Sequence, residues 1–137
     1  MILYLVRHGQ SEGNVKRYFH GQTDFPLTEL GQQQAKQVAE KLKDAPFTRC
    51  CASDLQRAWN TALACLEFHK DIRPEVFPEL REHFVGDMEN LPWEEAEARF
   101  PGIPDKFVSD WFHTVPPGGE DPQDMLRRVA QCVDAII

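Results

Sequence analysis

At 137 residues the chain is long enough for one domain with a buried core, and its 42% hydrophobic and 27% charged residues are those of an ordinary globular protein. Its net charge of −7 supplies no field to draw in a phosphate backbone, which argues against a nucleic-acid or anionic-membrane partner. A phosphorylated ligand would need a local arginine cluster to overcome that repulsion.

The chain opens on an apolar run, Ile2–Val6, that reads as a fully buried strand of a parallel sheet and delivers Arg7 and His8 to its carboxyl end. Ligands of open α/β sheets bind at that edge, although a surface Arg-His turn is the plainer alternative. The run is too short for a secretory signal, and no segment has the length to span a bilayer. Residues 10–27 are rich in turn formers and read as a loop or a short helical turn. Thr28 then caps an amphipathic helix over Glu29–Lys43, with Ala35, Val38, Ala39 and Leu42 on its apolar side.

Phe47–Ala52 is expected as a second strand. The pattern Ser53-Asp54-Leu55-Gln56 is expected as a capping box that starts a helix bearing Leu55, Ala58, Trp59, Ala62, Leu63 and Leu66. Strand and helix alternating in this way predict a parallel sheet. Val76-Phe77 follows as a short strand, then two short helices over Pro92–Arg99 and Asp105–Phe112. The second bunches Phe107, Val108, Trp111 and Phe112 on one side, expected in the core. After the turn Pro116–Gly119, Asp121 caps a final helix with Pro122 at its first position and Met125, Val129, Cys132, Val133 and Ile136 as its stripe. That helix carries no glycine or basic stop signal, so the expectation is a chain cut before further strands. The four cysteines (Cys50, Cys51, Cys65 and Cys132) have no metal spacing and read as reduced residues of a cytoplasmic protein.

Five segments, in this order, carry a resemblance. They are Leu5-Val6-Arg7-His8-Gly9-Gln10-Ser11-Glu12-Gly13-Asn14; Gly21-Gln22-Thr23-Asp24-Phe25-Pro26-Leu27-Thr28 with Gly31 and Ala35; Ser53-Asp54-Leu55-Gln56-Arg57-Ala58 with Thr61 and Ala62; Leu80-Arg81-Glu82 with Gly86 and Glu89; and Pro117-Gly118-Gly119-Glu120. Together they resemble the histidine phosphatase superfamily, with its phosphoglycerate-mutase-like fold. The resemblance implies an α/β class with a mostly parallel open sheet and helices on both faces, in one domain over residues 1–137 that lacks its C-terminal part.

It also implies roles. His8 becomes a phosphohistidine, which requires a neutral imidazole with one ring nitrogen held as a donor by a backbone carbonyl or similar group. Arg7 and Arg57 clamp the phosphoryl oxygens, as planar guanidinium groups can. Arg57 would otherwise be a solvated charge on its helix. Asn14, His20 and Gly21 complete the substrate cradle, with an exposed loop histidine as the other reading of His20. Glu82 matches the proton donor to the leaving oxygen, a role that needs its carboxyl kept protonated near neutral pH.

One departure stands out. Family members carry a second histidine in a His-Gly motif after a later strand, and none of His20, His69, His83 and His113 fits that place. The expected activity is hydrolysis of a small phosphorylated metabolite, a phosphomonoester, with no cofactor and no metal. The alternatives are phosphoglycerate mutase-type transfer and a non-catalytic phosphate-binding pseudoenzyme or inactive fragment. Gly13, where mutases show tryptophan, and the Gly21–Pro26 segment favour the phosphatase branch. The oligomeric state stays open.

Overall fold

The computed structural model describes residues 1–137. In chain order its elements are α1 (Glu12–Lys16), α2 (Glu29–Leu42), β1 (Cys50–Ala52), α3 (Gln56–Cys65), β2 (Pro74–Val76), α4 (Trp93–Arg99), α5 (Ile103–Ser109) and α6 (Pro122–Ile136). Tight 3-10 turns occupy Pro78–Leu80, Gly86–Met88 and Trp111–His113. The chain sorts into two compact units, each drawn from two stretches: Met1–Val15 with Asp24–Pro78, and Lys16–Thr23 with Glu79–Ile137. No helix is long and apolar enough to cross a membrane.

In the first unit, β1 and β2 pair in parallel with Cys50 opposite Pro74 and Ala52 opposite Val76, and α3 makes the crossover between them. This is the expected α/β class, with a small parallel sheet. The Arg49 guanidinium forks onto both Glu75 carboxylate oxygens at 2.9 Å beside the pair. Helix α2 packs on α3, and the buried alanines Ala35 and Ala39 leave room for the approach. Its start is capped as its sequence predicts: the Thr28 hydroxyl accepts from Gly31 N at 3.0 Å. At its other end, the His69 ring lies 2.8 Å through Nε2 from the carbonyl of Leu42.

Two expectations fail in this unit. The Ile2–Val6 run forms no strand, and Ile2 and Leu5 stand 71% and 86% exposed. A strand is a property of a ladder, and the only paired strands are β1 and β2, so an apolar run without a partner stays irregular. Its one ring contact is Tyr4 against Phe47, with centroids 6.1 Å apart. The second failure is the capping box. Helix α3 begins after Leu55, which makes no side-chain cap; Ser53 Oγ accepts instead from Leu55 N at 3.2 Å. The first amide of the helix, Gln56 N, donates to the Asp24 carboxylate at 2.8 Å, so the capping acceptor comes from another loop.

The second unit has its own core of Val85, Met88, Leu91 and Ala96, with Phe19, Phe100, Ile103 and Phe107 packed against it. Phe19 reaches this core because its amide and carbonyl bond Leu91 O and Asn90 N at 2.9 and 2.7 Å. Its ring stacks on Trp93 with centroids 5.5 Å apart. The aromatic stripe expected in the core is divided: Phe107 packs inward, whereas Val108 and Trp111 are exposed. The reason is that α5 starts earlier and ends sooner than its apolar pattern suggests. Pro104 suits its first turn, and the Thr114 hydroxyl takes the Asp110 carbonyl at 2.7 Å just beyond its end. Asp121 caps α6 by accepting from Gln123 N at 2.8 Å, with Pro122 in the first turn as expected.

Candidate active site

The segment following the opening run is stapled to the start of α2. Thr28 N donates to Gln10 O and Glu12 N to Pro26 O, both at 3.0 Å, while Gln10 N donates to the Gln34 side chain at 2.8 Å. This approach needs glycine. A Cβ on Gly9 would lie 2.2 Å from the carbonyl oxygen of Gly31. Gly9 N in turn donates to Thr61 Oγ1 at 3.1 Å, and that hydroxyl donates to the Arg57 carbonyl one turn back in α3 at 2.7 Å. The backbone beside His8 is thereby fixed to two helices of the same unit.

His8 is half-buried, and its Nδ1 lies 2.7 Å from the carbonyl oxygen of Gly9. A carbonyl can only accept, so Nδ1 carries the proton and the lone pair of the neutral ring sits on Nε2. Arg7, His8 and Asn14 line one cleft of about 470 Å³ together with Gly9, Gln10, Gln34, Ala35 and Val38. Asn14 is oriented by Ser11, whose amide and hydroxyl both donate to Asn14 Oδ1 at 2.9 and 3.0 Å, leaving the amide nitrogen as its donor end. Arg57 lies in the same unit and is buried, 3% exposed, which excludes the solvated-charge alternative. Its guanidinium is not part of the cleft lining.

His20, Gly21 and Glu82 belong to the second unit. The half-buried His20 ring sits 2.9 Å through Nδ1 from the carbonyl of Tyr18. Gly21 is there because a Cβ would fall 1.6 Å from the carbonyl oxygen of His83. The loop and the Glu82 segment meet directly: Gln22 Nε2 donates to Glu82 O at 3.2 Å. Glu82 itself is exposed, and its Oε1 accepts from His83 N at 2.9 Å.

Sequence reasoning gave no role to Glu89, yet it holds this loop. Its carboxylate accepts from the amides of Gly21, Gln22 and Thr23 at 2.8–3.1 Å and from the Thr23 hydroxyl at 2.5 Å. Burial alone would raise its pKa, but the Thr23 hydroxyl and the three amides together outweigh that and hold it below the ordinary carboxylate value. Thr61 and Gln34 were likewise unassigned; the four-residue step from Arg57 to Thr61 is the one local sign that a hydroxyl could return to that turn. Burial, with Cys65 and Cys51 nearby, pushes the Cys50 thiol up to about 11. No three side chains of the His, Cys, Asp and Glu type are placed to hold a metal ion.

An irregular segment thus presents an oriented histidine, with the arginine before it and an asparagine six residues on in the same cleft. The histidine phosphatase superfamily (branch 1) profile matches residues 3–137, and the chain belongs to that family. It is 38% identical over 141 residues to the adenosylcobalamin/alpha-ribazole phosphatase of Salmonella typhimurium, covering 99% of this chain and 67% of that protein. It is 37% identical over 138 residues to a 2,3-bisphosphoglycerate-dependent phosphoglycerate mutase of Methylorubrum populi, covering 93% and 62%. Among solved structures, the alpha-ribazole phosphatase of Shigella flexneri superposes with a TM-score of 0.85 at 30% identity, covering 96% of this chain and 64% of that one. A mycobacterial glucosyl-3-phosphoglycerate phosphatase gives 0.83 at 34% identity, covering 94% and 60%. The chain thus spans about two thirds of the length of these relatives.

Proposed function

We propose that the protein is a phosphatase that hydrolyses a small phosphomonoester through a phosphohistidine at His8, without a metal or cofactor. The observation that carries this reading is the 2.7 Å contact from His8 Nδ1 to the Gly9 carbonyl, which leaves the Nε2 lone pair as the nucleophile. Nε2 attacks phosphorus, the N–P bond forms, and the ester O–P bond breaks. The leaving oxygen takes its proton from Glu82, and the carboxylate then accepts a proton from the water that cleaves the N–P bond, so that phosphate leaves and His8 is restored. Arg7 and Arg57 supply fixed positive charge to the phosphoryl oxygens, and Asn14, His20 and Gly21 complete the cradle.

The phosphatases it resembles are named for different substrates, alpha-ribazole and glucosyl-3-phosphoglycerate, which supports the phosphoryl group as the shared feature of recognition. The similarity to a phosphoglycerate mutase favours a second reading, return of the phosphoryl group to another hydroxyl. Incubation with a phosphoglycerate separates the two by free phosphate against isomer. The central test is labelling. Protein incubated with a labelled phosphomonoester and quenched in alkali, where the N–P bond survives, is expected to carry label on His8. His8→Ala is expected to carry none and to lose turnover by at least about a thousandfold; retained turnover in His8→Ala sinks the reading.

A further inference from the structure

Glu120 of the Pro117–Glu120 motif and Arg128 of α6 play no part in the chemistry above, yet they converge on the segment that carries Glu82. Arg128, half-buried on α6, forks onto Glu120: Nε donates to Oε1 at 2.8 Å and Nη2 to Oε2 at 2.9 Å. The same guanidinium turns its remaining donors onto backbone, with Nη1 at 2.5 Å from Glu79 O and 3.0 Å from Arg81 O, and Nη2 at 3.5 Å from Glu82 O. Glu120 holds the other side. Its Oε2 accepts from Phe84 N at 3.3 Å, its amide donates to Phe84 O at 2.9 Å, and its carbonyl lies 2.6 Å from the ring Nε2 of buried His83.

Residues 81–85 form neither helix nor strand, so their carbonyls have no ladder to satisfy them. A planar guanidinium with five donors can serve several carbonyls and fork onto one carboxylate at once, whereas an ammonium has only three donors and no fork. The Arg128 fork keeps the Glu120 carboxyl below its ordinary pKa, which maintains the ion pair at working pH. The backbone is therefore pinned on both sides of one exposed side chain, that of Glu82.

We infer that the Arg128–Glu120 pair is the positioning device for the Glu82 carboxyl, setting it for proton transfer to the leaving oxygen. Arg128 touches no reacting atom; it acts through the backbone of Glu79, Arg81 and Glu82. The inference rests on the reading of Glu82 as the acid, and the experiment separates the two.

An alkoxide leaving group needs the acid's proton, whereas a nitrophenolate leaves without it. The purified protein is assayed with glycerol 3-phosphate and with p-nitrophenyl phosphate. Arg128→Met is expected to slow the alkyl ester by roughly tenfold to a hundredfold more than the aryl ester, a part of the 10²–10⁴ that a positioned acid contributes. Arg128→Lys recovers part of that selectivity, and Glu82→Gln with Arg128→Met is no more selective than Glu82→Gln alone. Arg127→Met, which breaks an exposed pair with Asp124 on the same helix, leaves both rates unchanged. Equal slowing of both esters, or none, in Arg128→Met and Arg128→Lys overturns the inference if Glu82→Gln keeps its own selective loss. If Glu82→Gln shows no selectivity, the acid assignment fails and the inference falls with it.

Discussion

Glu89 illustrates what one residue does in this molecule. Its carboxylate takes the place of a bound anion inside a loop, gathering the donors of Gly21, Gln22 and Thr23 that would otherwise need water. Glu89→Gln puts an NH₂ among those donors and removes the charge that shortens the bonds. The expected loss is about 2 kcal/mol in urea unfolding followed by tryptophan fluorescence. The same bonds tie stability to pH. Because the folded pKa lies below the unfolded one, the unfolded chain binds the proton first, and the contribution is complete only above the unfolded carboxylate pKa near about 4.3. It fades as pH falls through the lower folded value. Wild-type stability should therefore drop below about pH 4.3 more steeply than that of Glu89→Gln; parallel curves would refute the assignment. At this scale one piece of geometry was legible. The sequence called for a backbone carbonyl or similar group to hold one ring nitrogen of His8, and the carbonyl of Gly9, already in the motif, lies 2.7 Å from Nδ1. Glu89 could be quoted in its motif but not given a task, because its partners lie 66–68 residues away.

At the scale of elements, helix starts divide by how local their caps are. Thr28 and Asp121 cap α2 and α6 from adjacent sequence, and both were readable as such. Helix α3 is capped from Asp24, 32 residues earlier, so the local Ser53–Gln56 pattern pointed to the wrong acceptor. The Gln56 side chain returns the contact by donating to Asp24 O at 2.9 Å. Asp24→Ala should lower the urea midpoint by the equivalent of about 1 kcal/mol, and Asp24→Asn by only a few tenths, since asparagine also accepts at a cap. Equal losses would mean that the charge, rather than the acceptor, matters. The parallel order of β1, α3 and β2 followed from the alternation of apolar runs, but strand lengths did not, because the number of paired residues depends on neighbours that a local pattern does not contain.

Over the whole molecule, the opening run is where apolar composition and exposure disagree most. A leucine in a doubly covered strand would lose several kcal/mol on replacement by lysine. Leu5, at 86% exposure, should lose less than about 0.5 kcal/mol. A large fall in the melting temperature of Leu5→Lys would show that the run is covered in solution. The run does bring Arg7 and His8 to one cleft, although it forms no strand on the way.

The exchange of segments between the two units has a consequence for the order in which the protein comes into being. Lys16–Thr23 belong with Glu79–Ile137, and the bridge from Phe19 to Leu91 and the carboxylate under Gly21 join parts made far apart in time. On a ribosome, the early stretch must wait uncommitted until residues 89–91 have emerged, while Asp24–Pro78 can already condense around α2 and α3. A gene cut between Pro78 and Glu79 would therefore not yield two self-sufficient pieces: the N-terminal product would keep a loop whose anchor it lacks, and the C-terminal product would lack Phe19 from its core.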